Sequence, residues 1–265
     1  MNSNNLKFSV LCLTLGQSKF RMAAINSVLE QDYDNWELIL IDPTSETFED
    51  LRLQALVGTD RRIICLNVPD SGPPEGLNNG LNIASGELVV CLNGDDLLMK
   101  DCFSRILRRV SSNVQENFAV IHGNCVLIDQ KGIMLRSLFA NQVSTLSFAS
   151  GECSIPNPST FYRRQFLNDN KIRFNEKNRT CWDAEINLSI LQSGGKFLRI
   201  NEVLSAFRLH PDSISGSQRL SSLYESDKKR ILSVARELRS YSTIHLRVVA
   251  LLLILYRKTR FRRFI

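Results

Sequence analysis

Along the first hundred residues, apolar positions come in short unbroken runs, and the stretches between them carry apolar residues at helical spacing. Phe8–Leu13, Trp36–Ile41 and residues 63–68 and 88–92 lack the alternation of a half-exposed strand, which predicts strands buried on both faces. Between them, Phe20, Ala23, Ala24 and Val28 predict one helix and residues 48–57 a second. Residues 73–84 predict a third, with proline early and Gly86 just beyond its end. Strand and helix in strict succession imply parallel pairing through right-handed crossovers, an α/β doubly wound, mainly parallel sheet.

The pattern then loosens. Residues 118–129 are strand-like and Asp129-Gln-Lys-Gly132 reads as a hairpin turn. Residues 137–153 have weak periodicity and are expected to form a loop over a pocket. A helix follows over 182–191, then short strands over 196–200 and 203–207, and finally a nearly all-apolar stretch over 244–256 with a basic end.

The chemistry concentrates where the strands stop. The run Gly86-Glu-Leu-Val-Val-Cys-Leu-Asn-Gly-Asp-Asp96 ends a buried strand in two adjacent carboxylates, at the edge of an open sheet where ligands bind. Adjacent aspartates repel unless a cation lies between them, and oxygen ligands suit a divalent metal such as Mg or Mn, so Asp95 and Asp96 read as a metal clamp. Helix capping is the plainer reading of the pair. Thr14, Asp42 and Asp70 fall on the same edge. No Gly-x-Gly-x-x-Gly and no Gly-x-x-x-x-Gly-Lys-Ser/Thr follows any of these strands, which excludes dinucleotide and P-loop readings.

Composition changes this picture little. At 265 residues, 43% hydrophobic and 23% charged, the chain affords a large core without disulfides. Its seven cysteines are scattered with no Cys-x-x-Cys, the pattern of core packing in a reducing compartment. A polar N-terminus without an apolar leader makes a cytoplasmic location the expectation. The net charge of +6 is matched by Arg247, Arg257, Lys258, Arg260, Arg262 and Arg263, with no acid beyond Leu246. The body is therefore near neutral, and no nucleic-acid partner is indicated.

In order, Phe8-Ser-Val-Leu, Ser27-Val-Leu-Glu-Gln31, Trp36-Glu-Leu-Ile-Leu-Ile-Asp42, Pro69-Asp-Ser-Gly72, Gly76-Leu-Asn-Asn-Gly80, Ala84-Ser-Gly-Glu87 and Leu92-Asn-Gly-Asp-Asp96 resemble the family 2 glycosyltransferases. The likeness is greatest to members that build bacterial surface polysaccharides. It implies a GT-A fold over residues 1–215, with a nucleotide-sugar half (1–112) and an acceptor-side half (113–215), followed by a helical basic tail (216–265). It also implies inverting transfer from a nucleotide-diphosphate sugar, with a divalent metal, to a glycan or lipid-linked acceptor. Carried over by position, Thr14, Asp42 and Asp70 face the nucleotide, and Asp95 and Asp96 match the Asp-x-Asp element, with Asp96 the direct metal ligand. Turn chemistry is the competing reading for Asp42 and Asp70. Two departures stand on the base-binding side: Pro43 replaces the usual second acid, and Leu13-Thr-Leu-Gly16 replaces Pro-Thr-Tyr-Asn.

On the acceptor side, Pro156-Asn-Pro-Ser-Thr160 resembles the segment beside the acceptor, where relatives often carry histidine at Asn157. Asp183 matches the catalytic base, with Glu185 the second choice, although both also suit a helix N-terminus. Phe207-Arg-Leu-His210 resembles an Arg-x-His segment that places Arg208 and His210 at the diphosphate or metal. Residues 244–256 are too short to span a membrane, and an interfacial helix on the inner leaflet or a packed core helix both fit. Two other functions also fit the residues: a member that binds nucleotide sugar without turnover, and a sugar nucleotidyltransferase, for which Thr14-Leu-Gly-Gln17 makes a poor phosphate loop.

Overall fold

The computed structural model describes residues 6–14, 19–44, 49–112, 117–211, 213, 220–238 and 241–261. The chain begins β1 (Phe8–Leu13), α1 (Arg21–Leu29), β2 (Trp36–Ile41), α2 (Leu51–Thr59), β3 (Ile63–Leu66), α3 (Pro73–Ile83), β4 (Leu88–Asn93), β5 (Leu97–Leu98) and α4 (Cys102–Ser112). It continues through β6 (Val120–Ile128), β7 (Met134–Leu138), α5 (Thr145–Ala149), a 3₁₀ turn (Asn157–Ser159), β8 (Thr160–Arg163), α6 (Arg164–Asp169) and α7 (Trp182–Gln192). It closes with β9 (Phe197–Arg208), α8 (Ser221–Glu237) and α9 (Thr243–Phe261).

The strands form one sheet in the order β3-β2-β1-β4-β8-β6-β9-β5, with β7 on β6. The first four pair in parallel, Phe8 lying opposite both Trp36 and Leu88. Every side chain of β2 is buried, which is why these strands do not alternate. One face sends Phe8, Val10, Leu38 and Val90 against Ile25 of α1 and Phe103 of α4. The other sends Leu11, Ile39 and Cys91 against Leu77 of α3 and Trp182 of α7. The second half adds antiparallel pairings of β8 with β4 and β6, and of β5 with β9.

At the edge of the sheet remote from the carboxyl ends, Glu37 ties three strands together. It accepts from Lys7 Nζ (2.7 Å), Ser9 Oγ (2.6 Å), Ser85 N (2.6 Å) and Ser85 Oγ (2.7 Å). Burial alone would raise its pKa, but these bonds bring it down to about 2.

Several elements differ from expectation. β3 stops at Leu66, because Asn67 and Val68 turn to solvent. α2 starts late, where Asp50 accepts from Arg52 N at 2.9 Å; Phe48 lies outside the described residues. Ala23 is exposed rather than in the core. The two strands expected over 196–207 are one strand, β9, which bulges against its partner β6 where Asn201 and Glu202 are exposed. Cys65 is exposed on β3, although all seven cysteines are free as expected.

Residues 137–153 are not a simple pocket loop. Part of this segment is α5, started by a reciprocal Ser144–Ser147 capping box. Its Phe148 and Ala149 pack with Cys181, Leu188, Ile231 and Ala235, seating α8 on the body. Thr180 Oγ1 donates to Asp227 of α8 at 2.7 Å, a second tie between α8 and the body.

Candidate active site

β4 ends at Asn93, and the turn that follows is held on both sides. Gly94 N donates to Leu13 O at 2.8 Å, and a Cβ on Gly94 would stand 2.9 Å from that same oxygen, so a side chain there would push the turn off β1. Asp96 is fully buried and accepts from Asn93 Nδ2 (3.1 Å) and the backbone N–H of Arg208 (2.9 Å). Burial, then the adjacent Asp95 charge, pushes its carboxyl well above the usual range. Asp95 is the more exposed of the pair, its side chain 22% exposed and its Oδ2 2.8 Å from His210 Nε2. Asp96, expected as the direct metal ligand, faces inward and fixes the end of β9.

Arg208 is buried, and its guanidinium donates to main-chain carbonyls: Nε to Asp95 O (2.9 Å), Nη1 to Asp129 O (3.0 Å) and Gln130 O (3.4 Å). It also lies 4.5 Å over the Phe20 ring, which contacts the His210 ring at a centroid distance of 5.1 Å. Arg208, expected at the diphosphate, here holds the Asp95 turn against the β6–β7 hairpin. Phe20 and Asn93 carried no signal in the sequence beyond helix spacing and a strand end.

The nucleotide-side expectations separate. Thr14 is buried, its hydroxyl donating to Ile41 O at 3.2 Å, so it stitches β1 to β2. Asp42 is buried and accepts from Thr44 N (2.8 Å) and Thr44 Oγ1 (2.7 Å), the turn chemistry that Asp-Pro-Thr favours. Asp70 is half-buried and accepts from Gly72 N at 3.0 Å. Its pKa is raised by burial first, and then by the charges of Glu75 and Asp42. Gly76 makes room for it, since a Cβ there would lie 2.6 Å from Asp70 Oδ2. Gly72, at φ 145°, turns Ser71 so that its carbonyl accepts from Arg179 Nη1, a cation at this edge that the sequence reading missed. Residues 15–18 and 45–48, which flank this edge, lie outside the described residues.

The two acids of the acceptor side have different surroundings. Glu185 accepts from Arg230 Nη1 (2.7 Å) and Nη2 (2.9 Å), Asn175 Nδ2 (2.8 Å) and Asn178 Nδ2 (2.6 Å). Burial raises its pKa, but these partners outweigh it and hold the carboxyl below its ordinary range. Both oxygens of the Glu185 carboxylate are thus taken up by donors. Asp183 receives backbone N–H groups of the first turn of α7, yet desolvation keeps its pKa raised. Its charge reaches Cys91 of β4 and Tyr162 of β8. Asn157 Oδ1 is enclosed and has no hydrogen-bond partner among the described residues.

For a metal, Asp95 Oδ2 and His210 Nε2 are the converging donors, and a carboxylate with an imidazole fits a divalent cation such as Mn. Among the described residues, no three or more His, Cys, Asp or Glu side chains form a complete metal centre. Two protein ligands suit a metal whose remaining ligands are substrate phosphates and water.

The fold is that of the GT-A glycosyltransferases. The structure superposes on Staphylococcus aureus TarS 1–349, solved with UDP-GlcNAc, with a TM-score of 0.68 at 18% identity over 94% of this chain and 72% of that one. It also matches the mannosyltransferase PcManGT of Pyrobaculum calidifontis, solved with GDP-Man and Mn2+, with a TM-score of 0.57 at 11% identity over 97% and 82%. The chain belongs to glycosyl transferase family 2, whose model matches residues 20–175. Among its relatives is the Escherichia coli UDP-Glc:alpha-D-GlcNAc-diphosphoundecaprenol beta-1,3-glucosyltransferase WfgD, 28% identical over 74% of each chain. Another is the Campylobacter jejuni GalNAc(5)-diNAcBac-PP-undecaprenol beta-1,3-glucosyltransferase, 31% identical over 64% of this chain. The alignment spans 55% of that relative's length.

Proposed function

We propose that this protein transfers a sugar from a UDP-sugar to a hydroxyl of a glycan carried on a lipid diphosphate, with inversion at the anomeric carbon. The carrying observation is the division of acids at the carboxyl edge: Asp95 with His210 at the donor end, and a desolvated Asp183 held apart from them. The donor class is supported by TarS, solved with UDP-GlcNAc, and the acceptor class by two relatives named for undecaprenol-linked substrates. Transfer names and the missing phosphate loop weigh against nucleotidyl transfer.

In this reading, Asp70 faces the nucleotide and Asp95 and His210 hold a divalent cation, which when bound neutralises charge on the departing diphosphate. Asp96 and Arg208 keep those two residues at working distance. Asp183 takes the acceptor hydroxyl proton as that oxygen attacks the anomeric carbon, while the bond from that carbon to the diphosphate oxygen breaks on the opposite face. A carboxylate with a raised pKa is a stronger base once ionised, which suits this step. The unpartnered Asn157 Oδ1 offers a hydrogen-bond acceptor to an acceptor-sugar hydroxyl.

The test is calorimetric titration of UDP, GDP, dTDP and CMP with and without Mn, followed by transfer from the matching sugar to a polyprenyl-diphosphate glycan. Mn-dependent binding of UDP together with product formation is expected. Binding of none of the four would overturn the donor assignment.

A further inference from the structure

Two features of the C-terminal half take no part in the site described above, and they meet. The first is α9. Ile244, Val248, Leu251, Leu252 and Leu255 recur at helical spacing on one face, and all are exposed, Ile244 at 73% and Leu252 at 58%. Leu246, Val249, Leu253 and Ile254 are more covered, which leaves the exposed stripe as a second apolar face. Among the described residues, no helix is long and apolar enough to cross a membrane.

The second is a cavity of about 400 Å³ between α4 and β9, lined by Arg105, Arg108, Arg109 and Arg199 against a single acid, Glu202. Within it, Arg105 meets Asp101 (2.8 Å) and Glu202 (3.4 Å). The cavity is not part of the donor edge: Arg199 and Arg208 lie toward opposite ends of β9, paired with His122 and Ile128 of β6, roughly 20 Å apart at the rise of an extended strand. It does adjoin α9, because Arg199 Nη1 donates to Tyr256 Oη at 3.2 Å.

We propose that α9 and the arginine cavity form one membrane-docking surface, the apolar stripe entering the acyl boundary of an anionic leaflet and the cavity taking a lipid phosphate. Charge selects this occupant. Beyond Leu246 the sequence holds six basic residues and no acid, so a second copy facing the stripe would meet its own charge, whereas an anionic bilayer complements it. Apolar insertion and basic attraction are the two signals that stable interfacial binding requires. The inference goes beyond the transfer reaction and does not depend on which sugar is moved.

The experiment is flotation of the full chain with vesicles of phosphatidylcholine alone or with added phosphatidylglycerol, at low and high salt. The variants are Leu251→Glu/Leu252→Glu for the stripe and Arg108→Ala/Arg109→Ala for the cavity. Thermal melting and UDP binding, run in parallel, show that each variant is folded and that the donor site is unaffected. Wild type is expected to float with the anionic vesicles and less so at high salt. The stripe variant should stay in the pellet fraction, and the arginine variant should bind anionic vesicles roughly tenfold more weakly. Equal flotation of the stripe variant, or equal binding to both vesicle types, overturns the proposal. So does a wild-type dimer that ignores vesicles and that Leu251→Glu/Leu252→Glu splits, since the face would then belong to a second copy.

Discussion

His210 Nε2 lies 2.8 Å from Asp95 Oδ2, although 115 residues separate them. The contact exists because the neighbouring Asp96 carboxylate accepts from the backbone N–H of Arg208, two residues before His210, at 2.9 Å. His210→Ala should weaken Mn-dependent UDP binding about tenfold or more while leaving the melting temperature nearly unchanged. Isothermal titration with and without Mn reads the difference.

Asp95 and Asp96 should fail differently. Asp96→Ala strips two donors of their buried acceptor and should cost roughly 1–3 kcal/mol of stability. Asp95→Ala removes the exposed carboxylate and should leave chemical denaturation close to wild type. If the two variants lost equal stability, the inward role of Asp96 would be wrong.

Asp183→Asn should lower transfer about 10²- to 10⁴-fold, the range for loss of a general base. It should also make the protein more stable at neutral pH. The sign follows from the raised pKa: the folded state holds this proton more tightly than the unfolded chain, so ionisation costs stability as pH rises through the folded value. Wild type and variant should match in acid and diverge above it, and the acid limb of the rate should lie above the ordinary aspartate range.

Glu185 and Arg230 should behave as a structural pair. Arg230 is 44% exposed, so solvent screens the contact and a double-mutant cycle should give about 1 kcal/mol. Because Glu185 has a lowered pKa, that stability is present above the unfolded value and fades as pH falls through the folded one. Glu185→Gln should retain most of its transfer activity; an effect as large as that of Asp183→Asn would restore Glu185 as the base.

Glu37, far from the chemistry, controls stability in acid. Its pKa of about 2 in the fold means that its contribution is full above the ordinary glutamate range and disappears as pH falls toward 2. Glu37→Gln should cost roughly 2–3 kcal/mol at pH 7 and little near pH 2, measured by urea denaturation across pH.

The parallel half of the sheet was legible because β1, β2 and β4 are buried on both faces, which leaves an unbroken apolar run that only such a strand produces. α5 was not legible. Its five residues are too short to display a period, and it is specified by a capping box and by burial against α8. β9 was split in two because its exposed middle bulges out of register with β6, and the pairing that carries the strand through the bulge is not visible in its own sequence. Among the candidate site residues, the motif placed Asp95, Asp96 and His210 but could not say which of the two adjacent aspartates is the more exposed. That choice is made by Arg208 N–H, which captures Asp96. The partners of Glu185 and Arg208 were also hidden, since Arg230 and the Asp129 carbonyl reach them only in three dimensions.

The measurement that bears most directly on the account is titration of UDP into wild type and Asp95→Ala, each with Mn and with EDTA. The account predicts tight binding by wild type in Mn, a marked loss in EDTA, and weak Mn-independent binding by a variant that melts at the wild-type temperature. Equal affinity of wild type and Asp95→Ala in Mn would contradict it, because the donor would then be held without the carboxylate that faces His210.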